Sequence, residues 1–170
     1  LWVYAEDNLG NEIIARSEAF YFDNTAPSVN VEYSTKEITK ENVMVTIKSN
    51  EEIQEMTGWT LSSDKKTLTK EYNVNTKETI TVKDIAGNEK QATIEINNID
   101  KIAPTVNVGY STKNPTRGNV KVTITSNEEI QTVIGWTLSS DKKTLTKEYS
   151  ANTKETITVK DLAGNEAQAT

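Results

Sequence analysis

The sequence predicts an all-β protein built from tandem β-sandwiches, and three observations support this fold class. Residues 26–93 and 103–170 align without a gap at a constant offset of 77 positions, and about 53 of the 68 aligned pairs are identical. Within each repeat, apolar residues alternate with polar ones, which is the period of a half-buried strand. Clusters of Asn, Asp, Gly, Ser and Lys separate these short runs, and no helical period lies between them.

The alternation defines six or seven short strands in the complete repeat. Their apolar positions are Val29, Val31 and Tyr33; Val43, Val45 and Ile47; Trp59 and Leu61; Leu68 and Tyr72; Ile80 and Val82; and Ala92, Ile94 and Ile96. Residues 62–66 predict a turn that pairs the third group with the fourth. Because each sheet has one dry face, two sheets must pack dry face to dry face. Strand number and unit size favour immunoglobulin-like Greek-key sandwiches of about seven strands each over a barrel.

The offset of 77 positions divides the chain into three parts. Residues 26–102 form a complete repeat, called repeat 1. Residues 103–170 form repeat 2, which is expected to lack its last strand. Residues 1–25 are expected to be the terminal F–G hairpin of a preceding repeat, with strands at 2–7 and 13–22. We therefore expect a window from a longer array, in which strand exchange between chains could complete repeat 2.

Composition excludes several classes of function. The chain has no cysteine and no histidine, which removes disulfides, thiolate zinc sites and the commonest general base. Its net charge is −6 with both signs interspersed, so no basic face for nucleic acid is expected. The apolar runs are too short to insert into a membrane. The acidic residues recur as solvated pairs, and we expect no catalytic activity.

One motif resembles a known family. Residues 82–88 read V-K-D-I-A-G-N and residues 100–104 read D-K-I-A-P, and the spacing recurs from Asp7 to Asp23, with a third turn at Asp161. This V-x-D-x-A-G-N … D-x-x-A-P pattern resembles the bacterial immunoglobulin-like tandem repeats of Gram-positive cell-surface and adhesin-type proteins. The resemblance covers the whole chain. It implies an extracellular location, on the bacterial surface or in the cell wall.

The D-x-A-G-N turn has two interpretations. In the structural one, Asp accepts backbone hydrogen bonds, while Gly and Asn supply positive φ for a tight connection. In the other, this turn, the B–C loop and the incoming linker meet at one end of the sandwich and bind calcium, a cation that takes six to eight oxygen ligands. The candidate ligands at the first junction are Asp23, Glu52 or its neighbour Glu51, Asp84 and Asn88. Those at the second junction are Asp100, Glu129 or its neighbour Glu128, Asp161 and Asn165. No other cofactor is predicted.

The organisation favours a non-catalytic stalk or spacer that presents another domain away from the cell. Its partners would be the neighbouring repeats, and the short linker at 100–104, which contains Pro104, predicts stiff joints. An adhesive module for a host glycan or protein is the first alternative, although Trp59 and Trp136 are expected to pack in the core rather than stack on sugars. An accessory domain of an extracellular enzyme is the second.

Overall fold

The computed structural model describes residues 1–18 and 21–170, and within them the chain is all-β without a helix. The strands are β1 (Trp2–Glu6), β2 (Glu12–Arg16), β3 (Val29–Tyr33), β4 (Val43–Ser49), β5 (Thr60–Leu61), β6 (Thr67–Tyr72), β7 (Thr76–Lys83), β8 (Glu89–Ile96), β9 (Val106–Tyr110), β10 (Val120–Ser126), β11 (Thr137–Leu138), β12 (Thr144–Tyr149), β13 (Ile157–Lys160) and β14 (Glu166–Ala169). Over the same described residues, no helix is long and apolar enough to cross a membrane.

Repeat 1 consists of two small antiparallel sheets packed over one core. The first sheet has the order β3-β4-β6-β5, and the second is β7-β8. In β4 and β8 the apolar residues at alternate positions are buried, as the alternation predicts; they are Val43, Val45 and Ile47, and Ala92, Ile94 and Ile96. Ile47, Leu68, Val82 and Ile94 come from both sheets and are all fully buried in one cluster. This arrangement belongs to the β-sandwich class.

Repeat 1 contains six strands within residues 26–102, all of which the structure describes, instead of about seven. Between β4 and β5, residues 50–59 form no strand and contribute one bridge, between Ile53 and Asp84. The Ile53 amide donates to the Lys65 carbonyl of the first sheet's turn at 2.8 Å, whereas the next amide, Gln54, donates to Lys83 of β7 at 2.8 Å. Two consecutive residues bond to different sheets, so this segment crosses between the sheets and forms no ladder.

The tryptophan of each repeat packs against the core, as expected. Trp59 is half-buried, and its ring lies edge-on to Tyr72 with centroids 6.3 Å apart. Trp136 and Tyr149 repeat this contact at 6.3 Å. The predicted pairing across residues 62–66 is also observed, since β5 pairs with β6.

Residues 1–25 form the hairpin β1–β2, which is shorter than predicted. Its pairing runs from Glu6 opposite Glu12 to Trp2 opposite Arg16, so the predicted strand at 13–22 ends at Arg16. The Ser17 amide also donates to the Leu1 carbonyl at 2.9 Å. Residues 19 and 20 of that predicted strand lie outside the described residues.

Repeat 2 follows the same plan. Its sheets have the order β11-β12-β10-β9 and β13-β14. Ile124, Ile130, Leu145 and Val159 are buried in its core, together with Ala169 of β14. The bridge between Ile130 and Asp161 repeats the crossing seen in repeat 1.

Candidate functional site

The candidate site is built around the turn that connects the last two strands of each repeat. Asp84 follows β7 and is only 1% exposed. Its Oδ1 accepts a hydrogen bond from the Asn88 backbone N–H at 2.8 Å, and its Oδ2 accepts one from Asn88 Nδ2 at 2.8 Å. Asp161 and Asn165 make the same two contacts, both at 2.8 Å. The carboxylate therefore closes the turn in both repeats.

The backbone conformation of the turn agrees with the structural interpretation at Gly87 but not at Asn88. Gly87 has a φ of 95°, in the left-handed region that favours glycine. Asn88 has no positive φ, which corrects the expectation that asparagine also supplies it. Its contribution is the side-chain amide, which holds the carboxylate of Asp84.

Hydrogen bonding keeps Asp84 ionised in spite of its burial. Burial raises the pKa of this carboxyl, but hydrogen bonds from the Asn88 side chain and backbone, and from the backbone of Gly87 and Ala86, outweigh it. The pKa of Asp84 therefore lies below its usual value. A buried negative charge faces the linker that enters the repeat.

The turn also binds the incoming linker. Asn88 Nδ2 donates to the backbone carbonyl of Asp23 at 3.1 Å, and Asn165 Nδ2 donates to that of Asp100 at 2.9 Å. The Thr105 amide then donates to Asn127 Oδ1 at 2.7 Å, just after the linker proline. The linker is thus held to the following repeat at both of its ends.

Three carboxylates meet at each junction. At the first, oxygens of Asp23, Glu51 and Asp84 all lie within 4.8 Å of one another. At the second, Asp100, Glu128 and Asp161 form the same group. Oxygens that each lie about 2.4 Å from one cation are separated by at most about 4.8 Å, so this spacing fits a calcium ion.

The structure brings together most, but not all, of the candidate ligands. Glu52 is not part of the group and forms an ion pair with Lys65 at 3.5 Å, and Glu129 likewise pairs with Lys142 at 3.3 Å. Their neighbours Glu51 and Glu128 take the places in the clusters. Asn88 and Asn165 lie beside the carboxylates, and the contacts described above use their amide nitrogens as donors.

Two kinds of residue at the junctions were not predicted. Gln54 Nε2 donates to the Asp84 carbonyl at 2.8 Å, and Gln131 Nε2 donates to that of Asp161 at 2.8 Å. Lys40 of repeat 1 reaches the turn of repeat 2, where its Nζ donates to the Gly164 carbonyl at 3.0 Å. Gln54 has an identical counterpart, Gln131, in repeat 2. Because most aligned positions are identical, this identity alone could not indicate a role at the junction.

No protein-family model, curated protein or solved structure matches this chain.

Calcium binding at the junctions stays a prediction. Calcium should raise the melting temperature, because a ligand that binds only the folded chain stabilises it, by about 2.7 kcal/mol at a hundredfold excess over Kd. Glu51→Gln should weaken this effect at the first junction, whereas Glu52→Gln, its matched control, should not. Calorimetric scans in chelator and in millimolar calcium measure it. Identical scans in the two buffers would contradict the prediction.

The second junction should also show a pH dependence in chelator. Burial, then the charges of Asp100 and Asp161, raise the pKa of Glu128 above its usual 4.5. Because the folded chain then holds this proton more tightly, stability falls as pH rises from the ordinary pKa through the raised one. Glu128→Gln should therefore raise the melting temperature at pH 7, and this gain should vanish near pH 4. Glu129→Gln, which removes a carboxylate from the exposed ion pair with Lys142, should give no gain in melting temperature. Equal effects of the two variants at pH 7 would contradict the raised pKa of Glu128.

Proposed function

We propose that this chain consists of immunoglobulin-like tandem repeats that act as a stiff, non-catalytic stalk. Strand order supports the immunoglobulin-like part of the proposal. The order β3-β4-β6-β5 in one sheet, and Ile53 bridged to β7-β8 in the other, corresponds to the A-B-E-D and C-F-G sheets of that topology. A tandem array of the same unit is better suited to extending and presenting another domain than to catalytic turnover.

One observation carries the proposal of stiffness: the linker between the repeats is hydrogen-bonded to both of them. On the side of repeat 1, the Asp100 amide donates to the Thr39 carbonyl at 2.9 Å, and Lys101 Nζ donates to Asn42 Oδ1 at 2.7 Å. On the side of repeat 2, the Asp100 carbonyl accepts from Asn165. Pro104, which is buried, fixes its own φ just before Thr105, whose amide donates to Asn127 of repeat 2.

A direct contact between the repeats supplements the hydrogen bonds of the linker. Lys40 of repeat 1 donates to the Gly164 carbonyl of repeat 2, and its charge contributes to lowering the pKa of nearby Glu166, after the larger effects of Lys160. Arg117 occupies the position of Lys40 in repeat 2. A cation at this position could serve the same purpose at a following junction.

The packing of Trp59 and Trp136 argues against their use in binding a glycan. Stacking on a sugar needs an exposed aromatic face, but Trp59 and Trp136 lie half-buried against Tyr72 and Tyr149. Lys70 Nζ also lies 5.6 Å from the centroid of the Trp59 ring. We place such a stalk outside the cell, on a bacterial surface, with neighbouring repeats as its main partners.

Small-angle scattering tests the proposal on the whole chain. We expect a narrow range of inter-repeat geometries, because the linker is bonded on both sides. Asn127→Ala combined with Asn165→Ala should broaden that range by releasing the linker from repeat 2. Asn119→Ala is a suitable control, since this exposed side chain donates to Glu148 of the same repeat at 3.4 Å. An unaltered chain as heterogeneous as the double variant would refute the stalk.

A further inference from the structure

The chain enters and leaves repeat 1 at opposite ends of the β7–β8 sheet. The entering linker lies at the turn between these strands, where Asn88 Nδ2 donates to the Asp23 carbonyl, and β8 begins one residue later. The leaving linker starts beyond Ile96, the last residue of β8. β3 runs in the same direction, since the hydroxyl of Tyr33, its last residue, accepts from the Glu95 amide near the end of β8 at 3.1 Å. A force along the chain would therefore stretch repeat 1 lengthwise.

The leaving segment pairs in parallel with the segment that follows β3. Thr39 forms an isolated parallel bridge with Ile99. The Thr39 amide donates to the Asn98 carbonyl at 2.9 Å, and the Asp100 amide donates to the Thr39 carbonyl at 2.9 Å. Two bonds on either side of Ile99 are the pattern of a parallel pair. They connect the segment after the first strand of the repeat directly to the segment after its last strand.

Two asparagine side chains reinforce this bridge. Asn75 Nδ2 donates to the Ile99 carbonyl at 2.9 Å, and the Ile99 amide donates to Asn75 Oδ1 at 2.8 Å. Asn98 Nδ2 donates to the Glu37 carbonyl at 2.8 Å. Ile99 is 8% exposed and belongs to the core cluster, so water is largely kept from the bonds of its backbone. Residues 98–100, with Thr39 and Asn75, form a unit that we call the exit clasp.

The bonds of the exit clasp run between two segments that both lie along the direction of stretching. A lengthwise force loads such bonds together, whereas a force that opens a hairpin from its end breaks its bonds one at a time. Forced unfolding is governed by the unfolding rate, so bonds that must break together slow it. The bridge also passes force from Thr39 straight to Asp100, which reduces the load on the residues between them.

We propose that repeat 1 is a load-bearing unit and that the exit clasp is its mechanical lock, which keeps β8 in place when the chain is stretched between its two linkers. The lock matters only under tension, so it rests on the proposed stalk and adds to it a second function, resistance to force. A stiff joint fixes the geometry between repeats, whereas the clasp holds the strands within one repeat. The two properties can therefore fail separately.

Stretching the whole chain with optical tweezers tests the lock. Because the chain has no cysteine, Thr25→Cys and Ile102→Cys introduce two exposed handles that load repeat 1 along its length. Asn75→Ala combined with Asn98→Ala removes the side-chain hydrogen bonds of the clasp. At one constant force this double variant should unfold at least about tenfold faster than the unaltered repeat, because several bonds are lost. Asn97→Ala, at an exposed neighbouring position, is the matched control and should leave the rate unchanged.

A second pair of handles distinguishes a mechanical role from a general loss of stability. Thr60→Cys on β5 and Thr79→Cys on β7, both exposed, pull the two sheets apart and do not stretch the clasp lengthwise. The double variant should unfold faster only when it is stretched along its length. Asn75→Ala alone, which changes one exposed side chain, should show the same direction dependence with an effect of about threefold.

Two outcomes would overturn the lock: equal acceleration by the double variant in both directions, or no acceleration along the length. The same measurement separates the lock from the stalk. A chain with a broad range of inter-repeat distances, in which repeat 1 still resists lengthwise force through the clasp, would contradict the stiff joints and support the lock.

Discussion

Replacing Ile94 by Ala is expected to lower the free energy of unfolding of repeat 1 by about 2 to 5 kcal/mol. Ile94 is fully buried on β8 and contributes to the core that joins the two sheets. The substitution removes three carbons and leaves a cavity that the packed neighbours fill only in part. For a unit of this size the loss corresponds to a fall in Tm of roughly 10 °C or more.

Denaturant unfolding followed by the fluorescence of Trp59 measures this loss, in a chain where Trp2 and Trp136 are replaced by Phe. Glu95→Ala is the control, since the exposed side chain of this neighbour forms a surface ion pair with Lys77 at 2.9 Å. Its effect should stay within about 1 kcal/mol. If Ile94→Ala were as mild as the control, β8 would not be part of the core.

The second large effect is expected from Asp84→Ala. This change removes the acceptor of two hydrogen bonds from Asn88, and the freed amide can no longer be held against the linker. Because the pKa of Asp84 is lowered in the folded chain, its contribution to stability is present above the ordinary value of 3.8 and is lost as pH falls through the lowered one. The destabilisation should therefore be large at pH 7 and shrink in acid.

Asp7 provides a matched control within the same chain. It accepts hydrogen bonds from the Asn11 backbone at 2.9 Å and from Asn11 Nδ2 at 2.7 Å, which are the contacts that Asp84 makes with Asn88. The Asp7 turn, however, lies in the exposed hairpin. Asp7→Ala should thus leave the melting of the sandwiches unchanged in calorimetry. Equal effects of the two substitutions, or a loss that does not depend on pH, would contradict the role of Asp84.

Much of the fold could be predicted from the sequence because burial on one face imposes a period of two. Val43, Val45 and Ile47 of β4 show this, as do Ile94 and Ile96 of β8. The crossing at Ile53 could not be predicted in this way. One buried residue among polar neighbours has no period, and its conformation depends on hydrogen bonds to two different sheets.

The candidate site was predictable in position but not in detail. The recurring motif predicts that Asp84 and Asp23 lie close together, because the turn and the linker share one end of a sandwich. The choice between Glu51 and Glu52 could not be made from sequence, since neighbouring carboxylates differ only in the direction of their side chains. In the structure Glu51 joins the carboxylate group, whereas Glu52 forms an exposed ion pair with Lys65.

The proposed stiffness of the stalk is tested most directly by a distance distribution between the two repeats. Because the chain has no cysteine, Thr60→Cys and Thr137→Cys introduce two unique sites for spin labels at equivalent exposed positions of β5 and β11. Pulsed electron spin resonance should then give one narrow distance peak, and replacing residues 100–104 by Gly and Ser should broaden it. A distribution in the unaltered chain as broad as that of the Gly-Ser variant would contradict the stalk.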